Sequence, residues 1–226
     1  MTSDPAAPAA PPKSQESVAD VLARRVTARE GPANVVVQGL RELGAVDRAV
    51  YQAVARTPTG TLDDPVRRLS AAADKSKLWL GIAAVVALAG GRRGRRAALE
   101  GVVAIGVSSA TINLGVKQVA RRRRPDRVRP ALFENRHVPM PGSTSFPSGH
   151  AASAFAFAYA VGRHLPGLAV PIRLLAAAVA YSRVHTGVHY PGDVVIGSVA
   201  GSGTAAMVAA VADRAARARA VSGRAR

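Results

Sequence analysis

Five apolar runs, at residues 78–91, 97–116, 151–162, 168–181 and 194–211, alternate with clusters of arginine, and no other feature of the chain restricts its fold so strongly. A mean hydropathy of +0.10 in a chain of formal net charge +17 requires that the apolar residues be gathered into blocks. About 20 apolar residues are needed to cross a bilayer. The run 194–211 meets the need unaided, and 97–116 meets it with Glu100 and Asn113 as interruptions. The other three are shorter, so length alone leaves a soluble bundle of buried helices open. Two features weigh against it: aromatic residues make up only 4% of the chain, thin for a large soluble core, and the arginine clusters recur between the blocks. The expected fold is therefore all-α, a membrane bundle of about five helices. Gly101, Gly106, Ser108, Ser109 and Gly115 suit close contacts between such helices. Trp79, beside Lys75 and Lys77, reads as an anchor at the membrane interface.

Outside the apolar blocks the chain divides by composition. Residues 1–17 are rich in proline and alanine without apolar period and read as a disordered tail. Residues 18–61 place apolar side chains three and four apart with arginines between, the pattern of amphipathic helices lying on a protein or membrane surface. Asp63, Asp64 and Pro65 mark a further helix start. Residues 62–212 carry the five runs, and 213–226 form a basic tail. The absence of cysteine excludes disulfides and thiolate metal sites, and the positive charge suits anionic partners such as phosphate esters or acidic lipid headgroups.

Three spaced motifs lie at the edges of the apolar runs. Lys117 and Arg124-Pro125 make K-x6-R-P. Pro147-Ser148-Gly149-His150 opens an alanine-rich run. Ser182-Arg183, His189 and Asp193 make S-R-x5-H-x3-D. If the runs cross a bilayer in turn, Lys117, His150, Arg183 and His189 to Asp193 all emerge on one side, as residues of one site must. Phosphoryl transfer needs neutralised non-bridging oxygens, an in-line nucleophile and a proton for the leaving oxygen. His189 supplies a nucleophilic imidazole, and Asp193 four residues on can fix its tautomer. His150 is then free as general acid and base. Lys117, Arg124 and Arg183 hold phosphate oxygens, with Ser148 and the Gly149 amide at a helix start completing the cradle.

These motifs, in this order and spacing, resemble those of the type 2 phosphatidic acid phosphatase superfamily, which also contains bacterial acid phosphatases and vanadium haloperoxidases. The resemblance runs over roughly residues 62–211. It implies a helical bundle of the phosphatase/haloperoxidase type and a multi-pass cell-membrane enzyme without cofactor or metal. Such an enzyme hydrolyses a lipid phosphate or diphosphate through a phosphohistidine. Substrates within that class are polyprenyl diphosphates, phosphatidate-type lipids and prenyl-phosphoryl sugar phosphates. The segments KSKLWL, VKQVARRRRPDR and TSFPSGHAASAFAFA are similar to actinobacterial members of the lipid phosphatase branch.

The same residues also admit plainer readings. Arg121 to Arg123 read as a solvated patch, Asn113 as a packing or orienting group one turn before Lys117, and His137 and His164 as loop residues. His185, His189 and Asp193 would share a metal-binding face on a helix, but Gly187, Pro191 and Gly192 interrupt it. A vanadate-dependent haloperoxidase-like enzyme shares the motifs, although the known ones are larger and soluble. A basic nucleic-acid-binding membrane protein explains the charge, but the arginines lack interleaved aromatic residues, so no nucleic-acid partner is expected.

Overall fold

The computed structural model describes residues 32–120, 122–127 and 136–224, and the tail expected at residues 1–17 and the amphipathic stretch 18–31 lie outside them. The chain divides into two units, one ending at Val46 and the other beginning at Asp47. Helix α1, Pro32–Arg56, runs across that division. Within the first unit, Gln38 donates to Glu42 one turn later at 3.0 Å.

Among the described residues of the second unit every regular element is helical, and loops at 122–127, 137–148 and 186–190 join them. A 3-10 turn, Gly60–Leu62, leads into α2, Asp63–Ala72, whose first turn holds Asp63 and Asp64 as the helix dipole favours. A second 3-10 turn, Asp74–Ser76, precedes α3, Lys77–Ala89. Then come α4, Gly91–Val119, α5, Gly149–His164, α6, Pro166–His185, and α7, Pro191–Arg224. Each of the five apolar runs falls in one of the helices α3 to α7, the first running two residues past the end of α3. Helix α7 continues through the basic segment that begins at Asp213.

Helices α4, α6 and α7 are long and apolar enough to cross a membrane. Their outward side chains support that reading: Leu99, Leu114, Val170, Leu174, Val199 and Met207 are all exposed. An apolar belt of this size is met by lipid rather than water. Helices α3 and α5, with 13 and 16 residues, extend only about 20 and 24 Å at 1.5 Å per residue.

Helix α5 is the axle of the bundle and packs on α4, α6 and α7. Its alanines at 151, 152, 154, 156, 158 and 160 are fully enclosed. Small side chains let backbones approach closely, which replaces the missing hydrophobic drive between helices in lipid. The seam with α7 is the tightest: a Cβ at Gly197 would lie 2.4 Å from the Ser148 carbonyl oxygen, and one at Gly201 would lie 2.0 Å from that of Ala152.

Trp79 departs from its expected place at the membrane interface. It is 1% exposed and packs against Phe157 of α5, ring centroids 5.5 Å apart. An indole can fill a core gap that alanines leave, so burial outweighs the interfacial preference. His164 is likewise not a loop residue. It ends α5 and meets Glu100 of α4 at 2.8 Å, while Arg163 bridges Glu100 and Asp213 of α7. This ionic cluster ties three helices at the end of the bundle away from the motifs.

Candidate active site

Two local features prepare the site in the backbone. Residues Thr111–Val116 of α4 wind as a π-helix, whose wider turn is found mostly where function demands it, and this turn carries Asn113 and is followed directly by Lys117. At the start of α5, Ser148 is the N-cap: its hydroxyl accepts from the Ala151 N–H at 3.4 Å, leaving Gly149 and His150 in the first turn. Lys117, Arg124, Gly149, His150 and His189 then line one cavity of about 220 Å³, and Asn113 shares its wall.

His189 sits in the turn between α6 and α7 and is 2% exposed. Its Nδ1 lies 3.5 Å from Asp193 Oδ2 and its Nε2 lies 3.3 Å from Arg124 Nη1. A guanidinium can only donate, so Nε2 is the acceptor nitrogen of a neutral ring and the Nδ1–H is turned toward Asp193. Burial, with the Arg124 and Arg183 cations adding to it against the opposing Asp193 hydrogen bond, lowers the His189 pKa to about 4.

Asp193, in the first turn of α7, is fully buried and held on every side. It accepts from the Ser145 hydroxyl, from the Tyr190 N–H at 2.9 Å and from Arg122 Nη1 at 2.8 Å. Arg122 also binds Asp47 at 2.6 Å and stacks over the Tyr190 ring at 4.2 Å, while Asp47 accepts from the Gly192 N–H at 2.7 Å. The solvated reading of Arg122 is therefore overturned, because the fold brings two carboxylates to it and a charged group with two partners is no loose surface arginine. Arg123 is exposed as expected, and Arg121 is outside the described residues.

The three cations of the motifs differ in their holding. Arg124 donates to the carbonyls of Ser143 at 2.8 Å and Val188 at 2.7 Å, which fixes its fork beside His189. Burial lowers its pKa, with Asp193 opposing. Lys117 Nζ donates to the Ser143 hydroxyl at 3.2 Å. Arg183, 3% exposed, donates from Nη1 to Ser70 Oγ at 2.6 Å, and its buried Nε has no hydrogen-bond partner among the described residues. That unmet donor is what an anion would satisfy.

Helix α2 and the turn after it meet the motif segments from outside. Asp63 and Ser70, two helical turns apart and so on one face, contact His185 at 3.1 Å and Arg183 respectively. Asp63 also pairs with the buried Arg136 at 2.7 Å, so His185 serves this structural cluster rather than sharing a site with His189. Asp74 follows in the turn, its Oδ1 3.5 Å from His150 Nε2. The turn is held by two successive left-handed residues, Lys75 at φ 50° and Ser76 at φ 59°, neither of them glycine. Each costs about 1–3 kcal/mol, and such positions gather at functional sites. None of Asp47, Ser70, Asp74 and Arg122 was a candidate from the sequence. Only the left-handed pair is a local anomaly, and residue type does not announce it.

Comparison with known proteins gives the family and the fold. The model of the PAP2 superfamily matches residues 97–217. The decaprenylphosphoryl-5-phosphoribose phosphatase of Mycobacterium tuberculosis (strain ATCC 25618 / H37Rv) is 40% identical over 141 residues, covering 62% of this chain and 75% of its own length. The protein of the same name from Mycolicibacterium smegmatis is 38% identical over 153 residues, 68% of this chain and 79% of that one. Among solved structures, the PAP2 type phosphatidylglycerolphosphate phosphatase from Bacillus subtilis superposes with a TM-score of 0.59 at 21% identity, covering 83% of this chain and 90% of its own. Aquifex aeolicus LpxE gives a TM-score of 0.60 at 19% identity, over 72% and 94%.

Proposed function

Because this chain belongs to the PAP2 superfamily and is a membrane lipid phosphatase, we propose that it removes the terminal phosphate of a prenyl-phosphoryl sugar phosphate. The reaction runs through a phosphohistidine at His189 and needs no metal. The observation that carries this reading is the buried, neutral His189, with Nδ1 facing Asp193 and Nε2 facing Arg124 in the wall of the cavity. The choice of a sugar phosphate rests on the names of the relatives at 40% and 38% identity. The enzyme acts in the cell membrane, where the lipid tail of the substrate stays in the bilayer.

The residues divide the work by position. Arg124, Lys117 and Arg183 draw in the phosphoryl oxygens, the free Nε donor of Arg183 among their contacts, while the Gly149 amide adds a helix-start donor. Ser148 contributes by capping α5, which fixes Gly149 and His150. His189 Nε2 attacks phosphorus as the ester P–O bond breaks, and Asp193 stabilises the imidazolium character that develops on the ring. His150 gives its proton to the departing alkoxide, then takes one from the water that cleaves the P–N bond. Phosphate and a free alcohol result.

His189→Ala should abolish hydrolysis in folded protein, and wild type quenched during turnover should hold an acid-labile, base-stable phosphoryl group that the variant lacks. Activity should survive EDTA and be inhibited by vanadate, which occupies the oxyanion cradle. Full activity in His189→Ala, or loss of activity on chelation restored by a divalent metal, would overturn the reading.

A further inference from the structure

We propose that Asp74 is a positioning residue for His150, the carboxylate that orients this histidine for proton transfer. The inference rests on the phosphohistidine reading above and adds a residue to it. The family match begins at residue 97, so Asp74 lies outside the matched segment as well as outside the three motifs.

Asp74 Oδ1 is 3.5 Å from His150 Nε2, a buried nitrogen with no hydrogen-bond partner among the described residues, and both residues line the cavity. Lys117, Arg124 and His189 line the same cavity, while Arg183 is not among its lining residues. Burial, with the Arg183 cation adding to it, holds the His150 pKa down to about 3 in the free protein, so the ring is neutral until an anionic phosphate enters; Asp74, half exposed at the cavity wall, is the carboxylate that opposes this and favours the proton the acid step needs. The pairing mirrors that of Asp193 with His189. One carboxylate faces a single ring nitrogen and leaves the other to the chemistry.

The backbone is built to hold Asp74 there. Ala73, 2% exposed, anchors the turn, and the Ser76 N–H closes it on the Ala73 carbonyl at 3.2 Å. The left-handed Lys75 and Ser76 reverse the chain so that Asp74 faces α5 before α3 begins. The preceding helix is fixed to the site through Ser70 and Arg183. Proton balance follows directly. The His150 N–H bond breaks as the alkoxide O–H forms, leaving neutral imidazole beside the Asp74 carboxylate; in the second half, water gives its proton back to that ring as its oxygen takes the phosphoryl group from His189.

The test is a double-mutant cycle on the full chain in detergent or nanodiscs, with folding checked by thermal melting. Asp74→Asn should lower kcat about tenfold or more for an alkyl phosphate while leaving KM within about twofold. With p-nitrophenyl phosphate, whose leaving group needs no proton, the first-turnover burst of p-nitrophenolate should be nearly unchanged, while steady-state turnover falls and the phosphoenzyme accumulates because water activation is slowed. In the His150→Ala background, Asp74→Asn should have no further effect, and Asp74→Glu should retain part of the activity. Equal losses in both backgrounds, or no loss in the wild-type background, would overturn the proposal. Should Asp74→Asn not fold, Asp74→Ser makes the same comparison. Failure here with His189 still essential removes only the role of Asp74, whereas an active His189→Ala removes the mechanism beneath it.

Discussion

At the scale of single residues, the protonation state of His189 is the quantity on which the chemistry turns. An imidazole in water has a pKa of about 6.5. Burial and two nearby guanidinium groups lower that of His189 to about 4 in the folded protein. The ring is therefore neutral, and nucleophilic, down to that pH before substrate binds. The sign for stability follows. Between about 6.5 and about 4 the unfolded chain binds a proton at this position that the folded chain does not, so the contribution of His189 is lost as pH falls through that window. Two measurements check this. Histidine-selective NMR in nanodiscs should show the His189 ring neutral until the pH approaches about 4, and the melting temperature of His189→Gln should fall less than that of wild type between pH 6.5 and 4.5. A ring that titrates near 6.5, with equal slopes for the two proteins, would contradict the assignment.

At the scale of elements, the seam between α5 and α7 decides whether the site assembles. The Ser148 N–H donates to the Asp193 carbonyl at 2.9 Å, so the helix starts that carry His150 and Asp193 are joined directly. Gly197 and Gly201 continue that contact by letting the two backbones touch. Gly201→Val would force a side chain into a carbonyl with no room to yield, at about 1–3 kcal/mol or more. Gly203, two residues on, has nothing near its Cβ position. We therefore expect Gly201→Val to lower both melting temperature and kcat, and Gly203→Val to leave both unchanged; similar behaviour of the two would sink the argument. The same elements show what a sequence discloses. Apolar runs bounded by arginine, glycine and proline located α3 to α7, and Ser148 before an alanine run marked the cap, because these are local signals. The π-helical turn at 111–116 was illegible, since its hydrogen-bond register answers to tertiary packing. Trp79 was misplaced because composition does not separate an interfacial tryptophan from one that fills a core. Arg122 was misread because its partners Asp193 and Asp47 lie 71 and 75 residues away, and Ser70 is 113 residues from Arg183. The motifs supplied the residues proposed to react, while the contacts around them, such as Arg122 with Asp193 and Asp74 with His150, depend on long-range packing that no spacing encodes.

At the scale of the whole molecule, cavity size and helix length together say where a lipid substrate must lie. A cavity of about 220 Å³ is smaller than the roughly 300–1,000 Å³ that encloses a drug-sized ligand, so it has room for a phosphoryl group and part of a headgroup but not for a prenyl chain. Around it, α4, α6 and α7 present apolar side chains outward over lengths that match or exceed the hydrocarbon core of a bilayer. On the proposed function the tail stays in lipid, where its contacts would not change between substrate and transition state. Binding energy of that uniform kind lowers KM without raising kcat. A series of prenyl-phosphoryl sugar phosphates of increasing chain length, assayed in nanodiscs, should accordingly show kcat constant within about twofold, with all of the gain in apparent KM and scaling with partition into the bilayer. A kcat that climbs steadily with chain length would mean that the tail is gripped by the protein in the transition state, and the helices would then have to open a channel that the cavity does not provide.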